Sequence, residues 1–236
     1  MRWLPLMAFF ITTIAFAQEN TMKLEIPSFA NGAFIPQEYA FCIPAQKNHV
    51  QMGKNKNPHL KWSGVPAAAK TLVVICVDPD VPSVGDNVNK EGVTVAKSLP
   101  RVDFYHWILV DIPTSIHEIK SGQDSDGITA HGKKPGPTAY GVRGINDYTN
   151  WFASDKDMNG QYGGYDGPCP PWNDELLHHY HFRLYALDVA TLGLHGNFNG
   201  KDVMDAMKGH ILAQSEWVGT YSLNPKVIDQ VIGHHP

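Results

Sequence analysis

Residues 71–82 read Thr-Leu-Val-Val-Ile-Cys-Val-Asp-Pro-Asp-Val-Pro, an apolar run that ends at two acids and two prolines. The run Thr71–Val77 is rich in β-branched residues, which is typical of a buried β-strand. Proline fixes its own φ and restricts the residue before it, so the chain leaves this strand at a fixed angle. The stretch therefore predicts a central strand followed by two carboxylates, which form either a solvated turn or part of a site.

Further strands are predicted on both sides of this stretch. The strong candidates, rich in β-branched or aromatic residues, are Phe104–Ile112 and His178–Leu187. The weaker ones are Lys23–Ile26, Glu38–Ile43, His59–Trp62 and Trp217–Leu223. One helix is predicted over Gly200–Ala213, with Asn199 as its N-cap. We therefore expect a mainly β protein, an antiparallel β-sandwich with a few peripheral helices.

Composition excludes several classes of protein. Charged residues make up 18% of the 236 and hydrophobic residues 43%, so the chain can build a core and is not intrinsically disordered. The formal net charge is −4 and basic residues do not cluster. Nucleic acid is therefore not expected as a partner, and neither is an anionic membrane surface bound through a basic patch.

The N-terminus has the pattern of a secretory signal peptide. Met1 and Arg2 precede an apolar run, and Ala15-Phe16-Ala17 provides a cleavage motif before Gln18. The apolar run is shorter than the roughly 20 residues that span a bilayer. We expect residues 1–17 to be removed and residues 18–236 to form one periplasmic or secreted domain without a transmembrane segment.

The predicted export bears on whether the three cysteines are free thiols or form a disulfide. Cys76 lies inside the apolar run and is expected to be a buried thiol. Cys42 and Cys169 lie beside turn residues, and an oxidising compartment would allow them to pair. Sequence spacing does not show whether their Cα atoms come close enough for a disulfide, so both outcomes stay open.

Histidines on two predicted strands are candidate site residues. Strict alternation places His106 on the same face as Ile108 and Val110. It also places His178 and Tyr180 on one face of their strand, and His179 and His181 on the other. Three histidines of one strand therefore cannot converge on one zinc ion, and no metal is predicted there.

One acidic segment resembles the first half of a calcium loop. Asp155, Asp157 and Asn159 have the D-x-D-x-N-G spacing, and Asp166 stands where such loops carry a bidentate glutamate. Glycines and a proline after this segment are unfavourable for the second helix of such a motif. A calcium site and a solvated acidic turn are both left open.

Four motifs occur in a specific order: Asp78-Pro79-Asp80-Val81-Pro82, Tyr105-His106-Trp107, Gly167-Pro168-Cys169-Pro170-Pro171 and His178-His179-Tyr180. This order resembles the pocket pattern of the phosphatidylethanolamine-binding protein family, in its bacterial Raf-kinase-inhibitor-like branch. The resemblance extends from about Leu24 to Asn224. Two departures are a long Ser83–Asp103 segment, expected to be a lid or a surface loop, and Cys169, which is typical of the bacterial branch and argues against kinase inhibition.

The resemblance implies a β-sandwich with a small anion pocket. Its ligand-binding residues would be Asp78, His106, Pro170, Pro171, His178 and Tyr180. In that hypothesis two histidines and the tyrosine donate hydrogen bonds to a phosphate or a phospholipid headgroup, and Asp78 fixes a histidine tautomer. The expected function is an exported, non-catalytic binding protein without a cofactor.

Two other functions are kept as alternatives. One is an exported protein-interaction module of the kinase- or protease-inhibitor type, with Pro113–Trp172 as the contact surface. The other is a hydrolase in which a His–Asp pair activates water. No nucleophile motif or metal-ligand set supports the hydrolase.

Overall fold

The computed structural model describes residues 22–233, so the predicted signal peptide lies outside the described residues. Its strands are β1 (Lys23–Glu25), β2 (Cys42–Pro44), β3 (Val50–Met52), β4 (Leu60–Ser63), β5 (Thr71–Pro82), β6 (Arg101–Ile112), β7 (Glu118–Ile119), β8 (Gly136–Thr138), β9 (Gly141–Arg143), β10 (His178–Leu187) and β11 (Ile211–Tyr221). Its helices are α1 (Tyr148–Trp151), α2 (Gly200–Ala206) and α3 (Pro225–Ile232), with one 3₁₀ turn at Gln37–Tyr39. None of the helices in this range is long and apolar enough to cross a membrane.

The strands form antiparallel sheets. A six-stranded sheet has the order β11-β10-β5-β6-β9-β8, a three-stranded sheet the order β1-β4-β7, and β2 pairs with β3. All of the pairings between these strands are antiparallel. The prediction of a mainly β, antiparallel fold with few helices is confirmed.

Strand β5 is apolar on both faces because both faces of the six-stranded sheet are covered. Leu72, Val74 and Cys76 belong to the larger core cluster, which also contains Trp107. Val73, Ile75 and Val77 belong to a second cluster, which includes residues of α2. A strand buried on both sides has no polar alternation, which explains the continuous run in the sequence.

A β-bulge in β6 changes the direction of His106. Cys76 is paired with Trp107 and Val77 with Tyr105, so His106 is the extra residue between two pairs. As a result His106 contacts rings of the larger cluster, whereas Ile108 and Val110 belong to the second cluster. The expectation that His106, Ile108 and Val110 share a face is therefore wrong.

The predicted helix Gly200–Ala213 is too long. Asn199 caps α2 as expected, through a capping box with Asp202, but the helix ends at Ala206. Gly209 follows with φ +80°, a left-handed conformation that suits a chain reversal, and Ile211 begins β11. Pairing with β10 thus overrides the helical pattern of the last residues.

One other segment differs from its prediction. The candidate strand Glu38–Ile43 is a 3₁₀ turn followed by the short β2. The segment Pro113–Trp172, considered above as a contact surface, contains β7, β8, β9 and α1.

Candidate functional site

A small cavity opens at one end of the six-stranded sheet, where β5 ends and β6 and β10 begin. All six residues that the resemblance assigned to a ligand line it: Asp78, His106, Pro170, Pro171, His178 and Tyr180. Its volume is about 120 Å³, roughly tenfold more than one water molecule needs. The structure therefore brings together side chains that are up to 102 positions apart, from Asp78 to Tyr180.

A chain of charged side chains begins at Asp78 and His178 in the cavity and continues behind them to Asp174 and Arg101. His178 Nδ1 lies 2.7 Å from Asp78 Oδ2, and His178 Nε2 lies 3.2 Å from Asp174 Oδ2. Arg101 holds Asp174 with two contacts of 2.6 and 3.1 Å. We call Asp78, His178, Asp174 and Arg101 the floor cluster; its two negative and two positive charges cancel.

His178 is an imidazolium at neutral pH. Burial acts to lower its pKa, but the charge of Asp78 and the hydrogen bonds to Asp174 and Asp78 outweigh burial and raise the pKa to about 9. Burial likewise acts to raise the pKa of Asp174, and the hydrogen bonds from His178 and Arg101 reverse that effect and lower it. Both N–H groups of His178 are therefore used inside the floor cluster.

The pKa of His106 shifts in the opposite direction. Its Nδ1 lies 2.8 Å from the backbone oxygen of Asp166, to which it donates a hydrogen bond. Burial lowers the His106 pKa, although Asp78 and that carbonyl act in the other direction. In its neutral form with the proton on Nδ1, His106 offers only the lone pair of Nε2; that both histidines donate to a ligand stays a prediction.

The hydroxyl of Tyr180 is a buried polar group of the cavity wall. Within residues 22–233 it makes no well-formed hydrogen bond, although the carboxylate of Asp78 is close enough to act on it as an acceptor. Burial, followed by the charge of Asp78, raises its pKa well above the ordinary value, so it remains a donor. Its ring stands edge-on to His106 at 5.1 Å.

Residues 83–99, which we call the roof segment, cover one side of the cavity. Ser83, Val84 and Val88 line it, so this part of the long insertion is a wall and Val102 and Asp103 already belong to β6. Arg101 anchors the segment by donating to the carbonyl groups of Ala96 and Leu99. At the mouth, Val84 and Trp151 are each 50% exposed, which gives the cavity an apolar rim.

A second anchor joins the roof segment to the opposite wall. The side-chain amide of Asn173 donates to the carbonyl groups of Asn87, Lys90 and Val93. Asn89 donates its backbone N–H to Asn173 Oδ1 and accepts the N–H of Trp172. The segment is thus fixed by hydrogen bonds rather than by a core of its own.

A disulfide joins Cys42 to Cys169. Cys169 lines the cavity, and the N–H groups of Phe41 and Cys42 both donate to the carbonyl of Pro168. The bond therefore ties the start of β2 to the wall that carries Pro170 and Pro171. Cys76 is a buried free thiol.

The acidic segment does not form a calcium loop around Asp166. The Asp166 carboxylate is buried and accepts hydrogen bonds from Lys133, Asn55 and Asn146 at 2.6, 2.7 and 2.9 Å. Asp155 instead binds backbone N–H groups of its own turn. No group of three or more metal-type side chains is found in the described part of the chain.

The two remaining histidines of β10 each have an acidic neighbour. His179 Nδ1 lies 2.8 Å from Asp80 Oδ2, and His181 Nδ1 lies 3.0 Å from Glu216 Oε2.

Asp174 is a site residue that the sequence analysis missed. The one local hint in the sequence is that Asp174 stands four residues before His178. The role of Asp174 becomes clear only from its contact with Arg101.

Comparison with known sequences gives one consistent result. A family model described as phosphatidylethanolamine-binding protein matches residues 25–222. A UPF0098 protein of Methanothermobacter thermautotrophicus is 35% identical over 201 residues, which cover 85% of this chain and 98% of that relative. A UPF0098 protein of Pyrococcus horikoshii is 34% identical over 204 residues, or 86% of this chain and 78% of the relative.

Two solved structures resemble the fold. A phosphatidylethanolamine-binding protein homologue from Chlamydia trachomatis has a TM-score of 0.58 and 28% identity, over 86% of this chain and 98% of its own. YbcL of E. coli, described as a member of the mammalian PEBP family, has a TM-score of 0.60 and 24% identity, over 85% and 98% of the two chains. The second likeness concerns the fold alone.

Proposed function

The chain belongs to the phosphatidylethanolamine-binding protein family, and on this premise we propose that it is a non-catalytic binding protein whose cavity holds a small phosphate-type group, free or as a phospholipid headgroup. The observation that carries the proposal is the buried Tyr180 hydroxyl, which makes no well-formed hydrogen bond within residues 22–233 and lies in the cavity that contains the His178 imidazolium. A buried donor without a partner costs free energy, and an anionic oxygen in the cavity would satisfy it.

The surroundings of that hydroxyl favour an anion over a cation. The carboxylate of Asp78, which lines the cavity, accepts the N–H of Asp80 at Oδ1 and that of His178 at Oδ2, so the His178 imidazolium compensates its charge. Pro170 and Pro171 stiffen the wall, so a ligand orders little of the chain when it binds. The apolar rim at Val84 and Trp151 suits a ligand with an apolar substituent.

We also assign the protein to an oxidising compartment. The signal-peptide pattern of residues 1–17 supports export, and the disulfide Cys42–Cys169 supports it independently, because such bonds persist outside the reducing cytosol. Mass spectrometry of the protein from its own cells should find a chain that begins at Gln18 and lacks two hydrogens. A retained leader and free thiols would contradict the assignment.

Affinity for a phosphate-type ligand should fall as the pH rises. His178 stays protonated up to about pH 9, so it does not cause the change in affinity. The change comes from a single proton that lies between His106 and the bound phosphate. Below the ligand's second pKa of about 6 this proton is present, and above it the anion faces the bare lone pair of His106. Calorimetry with methyl phosphate at pH 5.5 and pH 8 should show at least about tenfold weaker binding at pH 8. Equal affinities would count against this account.

Replacing Tyr180 with phenylalanine should weaken methyl phosphate binding by about ten- to hundredfold, because a hydrogen bond to a charged group is lost. Folding stability should change little, since this hydroxyl makes no well-formed hydrogen bond among the described residues. Tyr165→Phe is the matched control: its hydroxyl donates to the carbonyl of Tyr39, so the variant should lose stability and keep its affinity. Unchanged affinity in Tyr180→Phe would remove the hydroxyl from the site.

A further inference from the structure

We propose that Asn89, in the roof segment, is a binding residue of the cavity and donates a hydrogen bond from its side-chain amide to the bound phosphate-type group. Asn89 lines the cavity and lies outside the four motifs of the sequence analysis. The inference rests on the binding function proposed above and adds to that site a donor from the long insertion.

The side-chain amide of Asn89 has a fixed orientation. The backbone N–H of Trp172 lies 3.0 Å from its oxygen Oδ1 and can only donate, so this contact determines which end of the amide is the oxygen. Nδ2 is then the other end, and it makes no hydrogen bond among the described residues. Because Trp172 follows Pro171 of the cavity wall, the amide stands at this wall with two unused N–H groups.

The backbone of Asn89 is fixed as well. Its φ is +57°, a left-handed conformation that asparagine adopts more readily than most residues. Its N–H donates at 3.0 Å to Oδ1 of Asn173, a residue that is 5% exposed. Asn173 also donates to carbonyl groups on both sides of Asn89, at Asn87 and Lys90. The amide of Asn89 is therefore held in place before a ligand binds.

Trp172, which orients the amide, is itself held by the roof segment. Its ring stacks on the imidazole of His49 at a centroid distance of 3.7 Å, and His49 Nε2 lies 2.6 Å from Glu91 Oε1. Because Glu91 belongs to the roof segment, the segment contacts Trp172 at its backbone and, by way of His49, at its ring. A donor that is fixed in advance loses little freedom when it binds a ligand.

Asn89 differs from the other side chains around the cavity that can donate. Ser83 and Trp151 also line it, but no hydrogen bond among the described residues orients the hydroxyl of the one or the indole N–H of the other. The Tyr180 hydroxyl lies at the buried end and has the Asp78 carboxylate as a neighbour. A phosphate-type group has several oxygens that accept, and the oriented amide of Asn89 supplies a donor to one of them on the roof side.

The variant Asn89→Asp tests the contact with little change to the fold. Aspartate keeps an oxygen that accepts the N–H of Trp172 and tolerates a positive φ, but it replaces the donor with a negatively charged acceptor. Calorimetry with methyl phosphate should show at least about tenfold weaker binding than in the wild type.

Two further variants separate a lost hydrogen bond from an added charge. Asn87→Asp adds the same charge two positions away, on an exposed residue that does not line the cavity, and should bind within about twofold of the wild type. Asn89→Gly removes the amide without adding a charge, and glycine suits the positive φ, so binding should weaken by about tenfold. Thermal unfolding checks that each variant is folded.

Dimethyl phosphate, which has the diester group of a phospholipid headgroup, is the second ligand. The preference of the wild type between the two ligands separates a headgroup from a free monoester as the source. Wild-type affinity in Asn89→Asp or in Asn89→Gly, or an equal loss in Asn87→Asp, would overturn the inference and leave the phosphate site standing. If the wild type binds neither ligand, the proposed function fails as well.

Discussion

Replacing His178 with alanine should lower the free energy of unfolding by about 3–5 kcal/mol, the typical effect of breaking a buried ion pair on one side. The imidazolium stands between Asp78 and Asp174, and all three side chains are at most 2% exposed. Arg101 still pairs with Asp174 in the variant, whereas Asp78 loses the one ionic partner that it has among residues 22–233. Urea denaturation at pH 7 measures the difference.

The difference in stability between the wild type and His178→Ala should decrease as the pH rises. The folded-state pKa of His178, about 9, lies above the ordinary value of 6.5. Its contribution to stability is therefore fully present below about pH 6.5 and is lost as the pH rises to about 9. The difference between wild type and His178→Ala should shrink by about 3 kcal/mol across this window.

A matched control lies on the same strand. His181 is partly exposed and pairs with Glu216, so His181→Ala should cost less than about 1 kcal/mol. If the two alanine variants had similar stability, or if the difference for His178 grew with pH, the floor cluster would not hold the charges assigned to it.

Removing the disulfide should have the second large effect. Cys42 and Cys169 are 127 positions apart, and closing a loop of that length restricts the unfolded chain by about 5 kcal/mol in the chain-entropy treatment. The double variant Cys42→Ser/Cys169→Ser should therefore unfold at much lower urea concentration than the wild type. Because Cys169 also belongs to the cavity wall, methyl phosphate binding should weaken with it.

A reducing agent provides the control for that experiment. It should destabilise the wild type by about the same amount and leave the double variant unchanged. It should also destabilise Cys76→Ala as it does the wild type, since Cys76 is a free thiol. A wild-type protein whose unfolding is insensitive to reduction would show that the bond does not contribute to stability.

The parts of the fold that could be predicted from sequence are those set by local pattern. The run Thr71–Val77 is a strand buried on both sides, and only apolar residues are compatible with that environment. His178 and Tyr180 share a face because β10 is regular over those residues. The cap at Asn199 is likewise local, since its hydrogen bonds reach only to Asp202.

The parts that could not be predicted depend on register and on distant contacts. The direction of His106 follows from the bulge opposite Cys76 and Val77, and a bulge is a property of two paired strands. The role of Asp174 depends on Arg101, which lies 73 positions earlier. The opposite pKa shifts of the two site histidines also follow from such partners, which the motif alone does not show.

Arg101 links the floor cluster to the roof segment, and this link limits how the cavity can change during evolution. Its guanidinium holds the charged floor through Asp174 and, at the same time, fixes the end of the roof segment through Ala96 and Leu99. The middle of the segment is held separately, by Asn173, so a substitution at Ser83, Val84 or Val88 changes the cavity wall and leaves the contacts between Arg101 and Asp174 in place. We therefore expect such changes to alter which substituent of a ligand is preferred more than they alter the charges beneath it.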